Sequence, residues 1–255
     1  MKSSRVAWVM FVIAAATMAG SAYVFFHDFP AVVAVTGGRG EVEATQLLHH
    51  VFPIISDVGI ICAMLWAVAG YALRRDRPWV AGVVGAALMT GLMAGFMPIP
   101  PTASRGVFPS SLFSVLLPCV LGYVLATRAG LRSGWKLTLL GLATAWAGQL
   151  SFMMGIASTH RIMTERGIVF LYSQRVQWLL LVGWFVVLVG LHAKRRWALS
   201  GGVGLGLASV VLGTPMGIID AIALGRFSLF GVAPIWAAVM VVVFFRVRSA
   251  AIWAA

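Results

Sequence analysis

Apolar runs of membrane-spanning length recur along the whole chain. They lie at approximately 6–26, 47–73, 79–98, 110–127, 137–157, 173–192, 198–214 and 229–247. A helix crosses a bilayer with about 17–25 mainly apolar residues, because its backbone polar groups are satisfied internally. The pattern predicts an all-α integral membrane protein with about eight transmembrane helices, built as one polytopic membrane domain over residues 1–255.

The positions of lysine and arginine predict how these helices are oriented. Starting from the N-terminus, alternate connections hold most of the basic residues, and nearly all acidic residues lie on the opposite side. Basic residues are retained in the cytoplasm, so we expect both termini inside and an acidic outer face. Short inner connections such as 74–78 and 192–196 predict four antiparallel helical hairpins. No A-x-A site follows the first run, which favours a retained span over a signal peptide.

The outer connections are longer and differ from one another. Residues 27–45 contain a Gly-rich turn, and the Pro-rich segment 97–111 predicts a stiff, extended chain. Residues 157–175 predict a surface helix that leads into the sixth span. The segment 214–228 is too apolar for a free loop and too interrupted for a span, which favours a re-entrant or interfacial segment.

A polar stripe runs along the outer half of the second span. Gln46, His50, Pro53 and Asp57 are spaced i, i+4, i+7 and i+11, and His49 lies beside them. The stripe extends about 15 Å and should face other helices or a wet cavity, because lipid cannot satisfy it. An ionisable residue inside the membrane is a functional hypothesis, so Asp57 is the candidate catalytic group, relaying protons to the histidines. The alternative is an aspartate held in a structural pair.

Four histidines share one predicted depth. His27, His49, His50 and His160 lie at the outer ends of the first, second and fifth spans. Imidazoles on facing helices can hold haem iron or copper, so all four are candidate cofactor ligands, with His49, His50 and His160 as the metal set. The alternative is a group of interfacial histidines that hydrogen-bond to nearby carbonyls or carboxylates.

Two further polar groups are candidates for ligand binding. Gln174 and Arg175, flanked by Tyr172 and Gln177, form a polar entry to the sixth span that could hold a quinone head group or line a vestibule. Asp220 and Arg226 bracket the segment 214–228. Paired, they would lock it, whereas an unpaired Arg226 could hold an anionic head group or substrate.

The composition supports the membrane assignment and argues against several classes of function. Hydrophobic residues make up 61% of the chain, charged residues 10%, and the net charge is +12. This charge follows from lysine and arginine retention, so no nucleic-acid partner is expected. Cys62 and Cys119 lie in apolar runs and predict small core residues. The chain contains no Gly-rich phosphate loop, nucleophile elbow or paired-carboxylate metal motif.

These patterns predict a multi-pass protein of a bacterial-type inner membrane, in contact with the lipid bilayer and possessing a polar site near the outer face. The leading hypothesis is a redox role with bound haem, copper or quinone. One alternative is a small-solute or ion permease that uses Asp57 and Asp220. Another is a non-catalytic subunit or assembly partner that binds other membrane subunits.

Overall fold

The computed structural model describes residues 2–162 and 167–248. Within them, eight helical segments are long and apolar enough to cross a membrane, and no strand occurs. The segments are Ser4–Gly38, Val42–Arg74, Val80–Ser104, Leu112–Gly130, Trp135–Thr159, Val169–His192, Trp197–Leu224 and Leu229–Val247. The predicted all-α class and the number of spans are therefore confirmed.

Internal packing divides the chain into two compact units. The first unit is Met1–Thr138 and the second unit is Leu139–Ala255. Four candidate spans belong to the first unit, and four belong almost entirely to the second. Each unit thus contains enough helices to bury its own core.

The first unit contains six α-helices joined or extended by π-helical turns. They are α1 (Lys2–Tyr23), α2 (Phe29–Gly38), α3 (Val42–Arg74), α4 (Val80–Phe96), α5 (Ile99–Ser104) and α6 (Leu117–Leu125). The π-helical turns are Val24–Asp28, Leu112–Leu116 and Ala126–Gly130. Because the first turn continues α1 directly into α2, one helical rod reaches Gly38.

Small residues allow the helices of the first unit to approach closely. α3 packs against α1 and α4, and α4 packs against α6. At Gly95 of α4, a Cβ atom would lie 2.6 Å from the backbone nitrogen of Leu116. Any larger residue at this position would clash with the backbone at Leu116, so glycine is required, as expected where membrane helices pack backbone to backbone.

Two predicted connections of the first unit are wrong in part. The chain from residue 27 was expected to leave the helix, but the helix continues through the π-helical turn Val24–Asp28 into α2, which extends to Gly38 with Pro30 near its beginning. The Pro-rich segment was expected to be extended, yet Ile99–Ser104 forms α5 with prolines in its first turn. A proline ends a helix that precedes it, but it begins a new one readily.

The second unit contains four long helices and one short 3₁₀ turn. They are α7 (Trp135–Ile162), α8 (Gly167–His192), α9 (Trp197–Leu224) and α10 (Val232–Arg248), with the 3₁₀ turn at Leu229–Gly231. α9 packs against α8 and α10. One core cluster joins side chains from all four helices and the 3₁₀ turn: Leu150, Met154, Phe170, Met216, Phe230 and Ala233. Phe230 thereby anchors the turn between α9 and α10.

The predicted re-entrant or interfacial segment at 214–228 is wrong over most of its length. α9 continues through Pro215 and ends only at Leu224. A proline removes one backbone hydrogen bond, and transmembrane helices tolerate that loss. The effective stop is Gly225, whose φ of +62° ends the helix in the left-handed conformation that glycine adopts without strain.

Candidate functional site

The predicted polar stripe of α3 exists, but it lies on an exposed face. Gln46, His49, His50 and Asp57 are exposed, and Pro53 is half-buried. We expected other helices or a cavity to line this face, whereas the buried side of α3 carries apolar residues instead. The stripe is therefore surface, and its role as a proton relay remains a prediction.

Asp57 has no partner in the described part of the chain. Its carboxylate makes no hydrogen bond and no ion pair with residues 2–162 or 167–248. The exposed residues that follow it on the same face are apolar, among them Ile61, Met64 and Val68. Asp57 is thus an isolated carboxylate at the edge of an otherwise apolar helix face.

His49 and His50 are each hydrogen-bonded to their own helix. Nδ1 of His49 donates to the carbonyl oxygen of Thr45, and Nδ1 of His50 donates to that of Gln46, both at 2.8 Å. Because a carbonyl oxygen can only accept, Nδ1 carries a proton in both rings, and Nε2 takes no part in these bonds. The rings of His49 and Phe29 also lie nearly perpendicular to each other, with 5.4 Å between their centroids.

His27 is held by its neighbour in sequence. Its Nδ1 lies 3.0 Å from Oδ1 of Asp28, while the ring stacks on Tyr23 and remains largely exposed. Asp28 is buried and also accepts a hydrogen bond from the Ser110 hydroxyl. Asp28 therefore ties the π-helical end of α1 to the residues that precede α6.

These histidines do not assemble a metal centre among the described residues. The side chain of His160 lies outside the part described, and elsewhere no group of three or more His, Cys, Asp or Glu residues is placed to hold a metal ion. Haem, copper or quinone binding by His27, His49, His50 and His160 accordingly remains a prediction.

The polar entry of α8 consists mainly of contacts to α7. Nε2 of Gln174 donates to Oγ1 of Thr159 at 2.6 Å, and the hydroxyl groups of Ser158 and Ser173 lie 3.3 Å apart. Arg175 is exposed. These bonds hold the beginning of α8 against the end of α7, and they occupy Gln174 structurally.

A cavity of about 570 Å³ lies at the end of the second unit where α7 and α9 finish. Its lining residues are Ala157, Arg161, Asp220, Leu224, Arg226, Phe227, Leu229 and Phe230. The walls are thus mainly aliphatic and aromatic, with three charged side chains. Pockets of this size, with apolar walls and few polar groups, are typical small-molecule sites.

Asp220 is the buried charged group of this cavity, with only 3% of its side chain exposed. Its Oδ2 accepts a hydrogen bond from the Ser228 hydroxyl at 2.7 Å, and its Oδ1 lies 3.2 Å from Nη2 of Arg161. Oδ1 has no hydrogen-bond partner, so its contact with Arg161 is an ion pair that lacks the geometry of a hydrogen bond. The predicted pair between Asp220 and Arg226 does not form; Arg161 takes that place.

Arg226 lies on the rim of the cavity and is exposed. The left-handed Gly225 turns the chain away from α9 just before it. Within the described residues, Arg226 makes no hydrogen bond and no ion pair. The cavity therefore offers a guanidinium group at its rim that no carboxylate of the described residues occupies.

Sequence reasoning missed Arg161, Ser228 and Phe230 as members of this site. Arg161 had one usable signal, since it is a basic residue on the side where basic residues are scarce. Ser228 and Phe230 gave none, because a serine and a phenylalanine that follow a single glycine are common in an apolar chain.

Two units thus present two distinct polar features: an exposed stripe on α3, and an arginine-containing cavity at the ends of α7 and α9. Neither reproduces a motif that assigns a reaction. Comparison with protein-family models, with curated proteins and with solved structures finds no match for the chain.

Proposed function

We propose that this multi-pass membrane protein binds a small amphipathic anion in the cavity of the second unit, as the recognition step of a small-solute permease. The observation that carries the proposal is the combination of Arg161 and Arg226 with an apolar wall in one cavity of about 570 Å³. A guanidinium group binds carboxylates and phosphates through its fork of N–H donors.

The walls specify the other half of the ligand. Leu224, Phe227 and Leu229 contribute exposed apolar surface to the cavity. A ligand with an apolar ring or short chain would bury that surface, and each square ångström removed from water contributes about 25 cal/mol. The matching ligand class is therefore a carboxylate or phosphate ester with an apolar body.

Asp220 would position Arg161 and limit the positive charge of the site. Its buried carboxylate is anchored by Ser228, whose Oγ in turn accepts from the backbone N–H of Phe230 at 3.1 Å. Because a fixed acceptor already restricts a long arginine side chain, less side-chain entropy is lost when a ligand binds. This arrangement gives Asp220 a positioning role in the permease hypothesis.

The effect of Arg226→Gln on binding of 2-naphthoate tests this proposal. The substitution should weaken binding to the purified protein in zwitterionic nanodiscs about tenfold, because one charge-assisted contact is lost. Arg196→Gln is the matched control, since Arg196 is also exposed but precedes α9 at its other end. Fluorescence titration measures both. Equal affinity of wild-type protein for 2-naphthoate and neutral 2-naphthamide would contradict anion recognition.

A second candidate function is that of a subunit in a membrane complex. It is favoured by Asp57, an exposed carboxylate that has no partner among the described residues and lies beside an apolar helix face. A lone carboxylate against lipid is costly, whereas a basic side chain on a partner's transmembrane helix would pair with it. The two candidates are compatible, because they use different units of the chain.

We also infer the orientation of the protein in a bacterial-type inner membrane: four hairpins, with both termini in the cytoplasm. The charge distribution supports this orientation, in which the cavity would lie at the outer face. A cysteine introduced at Arg39 or Ser104 should react with an impermeant maleimide from outside, and one at Arg75 or Arg132 only after permeabilisation. Both native cysteines are buried, so the background is low. Labelling of the Arg75 position from outside would reverse the orientation.

A further inference from the structure

The two cysteines of the chain meet in the core of the first unit. Cys62 of α3 and Cys119 of α6 are fully buried, and their Sγ atoms lie 3.5 Å apart. They are separated by 57 residues in sequence, so the contact is created by the packing of two spans. The sequence predicted two small core residues, and the fold brings them together as a dithiol.

The neighbouring side chains distinguish the two sulfur atoms. Nε1 of Trp66 donates a hydrogen bond to Sγ of Cys119 at 3.4 Å, and Oγ1 of Thr17 lies 3.6 Å from the same atom. The Cys62 thiol instead donates to the carbonyl oxygen of Ala87 at 3.3 Å. The indole N–H of Trp66 is therefore a fixed donor to Cys119, and it stabilises negative charge that develops on this sulfur during a reaction.

Gly91 of α4 makes the space in which the two thiols meet. A Cβ atom at this position would lie 2.7 Å from both Cβ and Sγ of Cys119 and 3.2 Å from Sγ of Cys62. Any larger residue would push the sulfur atoms out of their present positions. The contact is thus formed by three helices, rather than by a chance encounter of two rotamers.

We propose that Cys62 and Cys119 are an oxidisable dithiol, which hydrogen peroxide converts into a disulfide between α3 and α6. A disulfide has an S–S bond of about 2.05 Å, so the sulfur atoms must approach by about 1.5 Å. A buried pair excludes bulky oxidants, whereas a peroxide is close to water in size. The proposal concerns the first unit and does not depend on ligand binding by the second.

The reaction proceeds in two balanced steps. The Cys119 sulfur attacks one peroxide oxygen; the O–O bond breaks and an S–O bond forms, while the Cys119 thiol proton passes to the departing hydroxide, which leaves as water. The Cys62 sulfur then attacks the sulfur of the Cys119 sulfenic acid; an S–S bond replaces the S–O bond, and the departing hydroxide takes the Cys62 thiol proton and leaves as a second water. Two thiols have lost two electrons, and the peroxide has been reduced to two water molecules.

Peptide mass spectrometry of peroxide-treated protein tests the proposal. Purified wild-type protein in detergent is exposed to hydrogen peroxide, denatured under a thiol-blocking reagent and digested without reductant. The expected product is one peptide pair linked through Cys62 and Cys119, lighter by two hydrogen atoms and separated by reductant. Two fully blocked thiols after treatment, or sulfinic acid on either cysteine without the linked pair, would overturn the proposal.

A conservative variant tests the assignment of Cys119 as the attacking sulfur. Trp66→Phe removes the N–H donor but keeps an aromatic ring, and should slow formation of the linked pair about tenfold. Trp184→Phe is the matched control, because Trp184 is equally buried but belongs to the second unit. An unchanged rate in Trp66→Phe would contradict the role of Cys119. Should that variant misfold, the wild-type measurement still decides whether the disulfide forms.

Discussion

Replacing Asp220 with leucine is expected to deplete the folded protein. The substitution removes the acceptor of the Ser228 hydroxyl and leaves Arg161 without the carboxylate 3.2 Å from its Nη2. Breaking a fully buried pair costs about 3–5 kcal/mol, and we expect about 2–3 kcal/mol here because Arg161 retains 31% exposure of its side chain. Thermal unfolding followed by size-exclusion chromatography in detergent measures the loss.

Asp57→Leu is the matched control, since it makes the same chemical change on the exposed face of α3. Asp57 has no partner in the described part of the chain, so the folded yield should remain at the wild-type level. If the complex-subunit hypothesis is correct, native mass spectrometry should show that this variant loses an associated subunit that the wild-type protein retains. Equal stability loss in both variants would contradict the different environments of the two carboxylates.

Substituting Gly95 with alanine is expected to destabilise the first unit. The added Cβ atom would lie 2.6 Å from the backbone nitrogen of Leu116 and 2.7 Å from its Cα atom. Backbone atoms cannot rotate away as a side chain can, so α4 must move, and such overpacking typically costs about 1–3 kcal/mol. The thermal midpoint of the purified variant should fall accordingly.

Gly204→Ala is expected to have the opposite effect on the thermal midpoint. Gly204 lies within α9, and apart from its adjacent residues and the nearby backbone of its own helix, no atom lies within 4 Å of the position that a Cβ atom would take. Alanine in an open helical position stabilises the helix by about 0.5–1 kcal/mol relative to glycine, so the midpoint should rise slightly. A fall of similar size in both variants would mean that helix propensity, rather than close approach at Gly95, governs these positions.

Spans were predictable from sequence because each depends on the composition of a local segment. All eight predicted runs correspond to helices of the structure, although several helices extend beyond them. The errors arose at prolines. Pro215 suggested an interruption of α9, and the prolines before Ser104 suggested an extended chain, whereas both segments are helical. Whether proline disrupts a helix depends on its position and on packing, which a local pattern does not contain.

Contacts between spans were not predictable, because they depend on the rotation of each helix about its axis. The stripe of α3 was correctly placed on one face, but nothing in the spacing indicated that this face would be exposed. For the same reason, the pair of Asp220 with Arg226, one of the two alternatives for these residues, is wrong, and Arg161 is the partner of Asp220. The meeting of Cys62 with Cys119 likewise depends on how α3 and α6 pack.

The most direct test of anion binding is to locate a bound anion chemically. The photoreactive carboxylate 4-benzoylbenzoate should label peptides that contain Ala157, Leu224 or Phe227, which line the cavity. An excess of 2-naphthoate should suppress this labelling, and 2-naphthamide should not, because the guanidinium groups recognise the carboxylate. Labelling confined to other spans, or equally suppressed by the neutral amide, would contradict an anion site in this cavity.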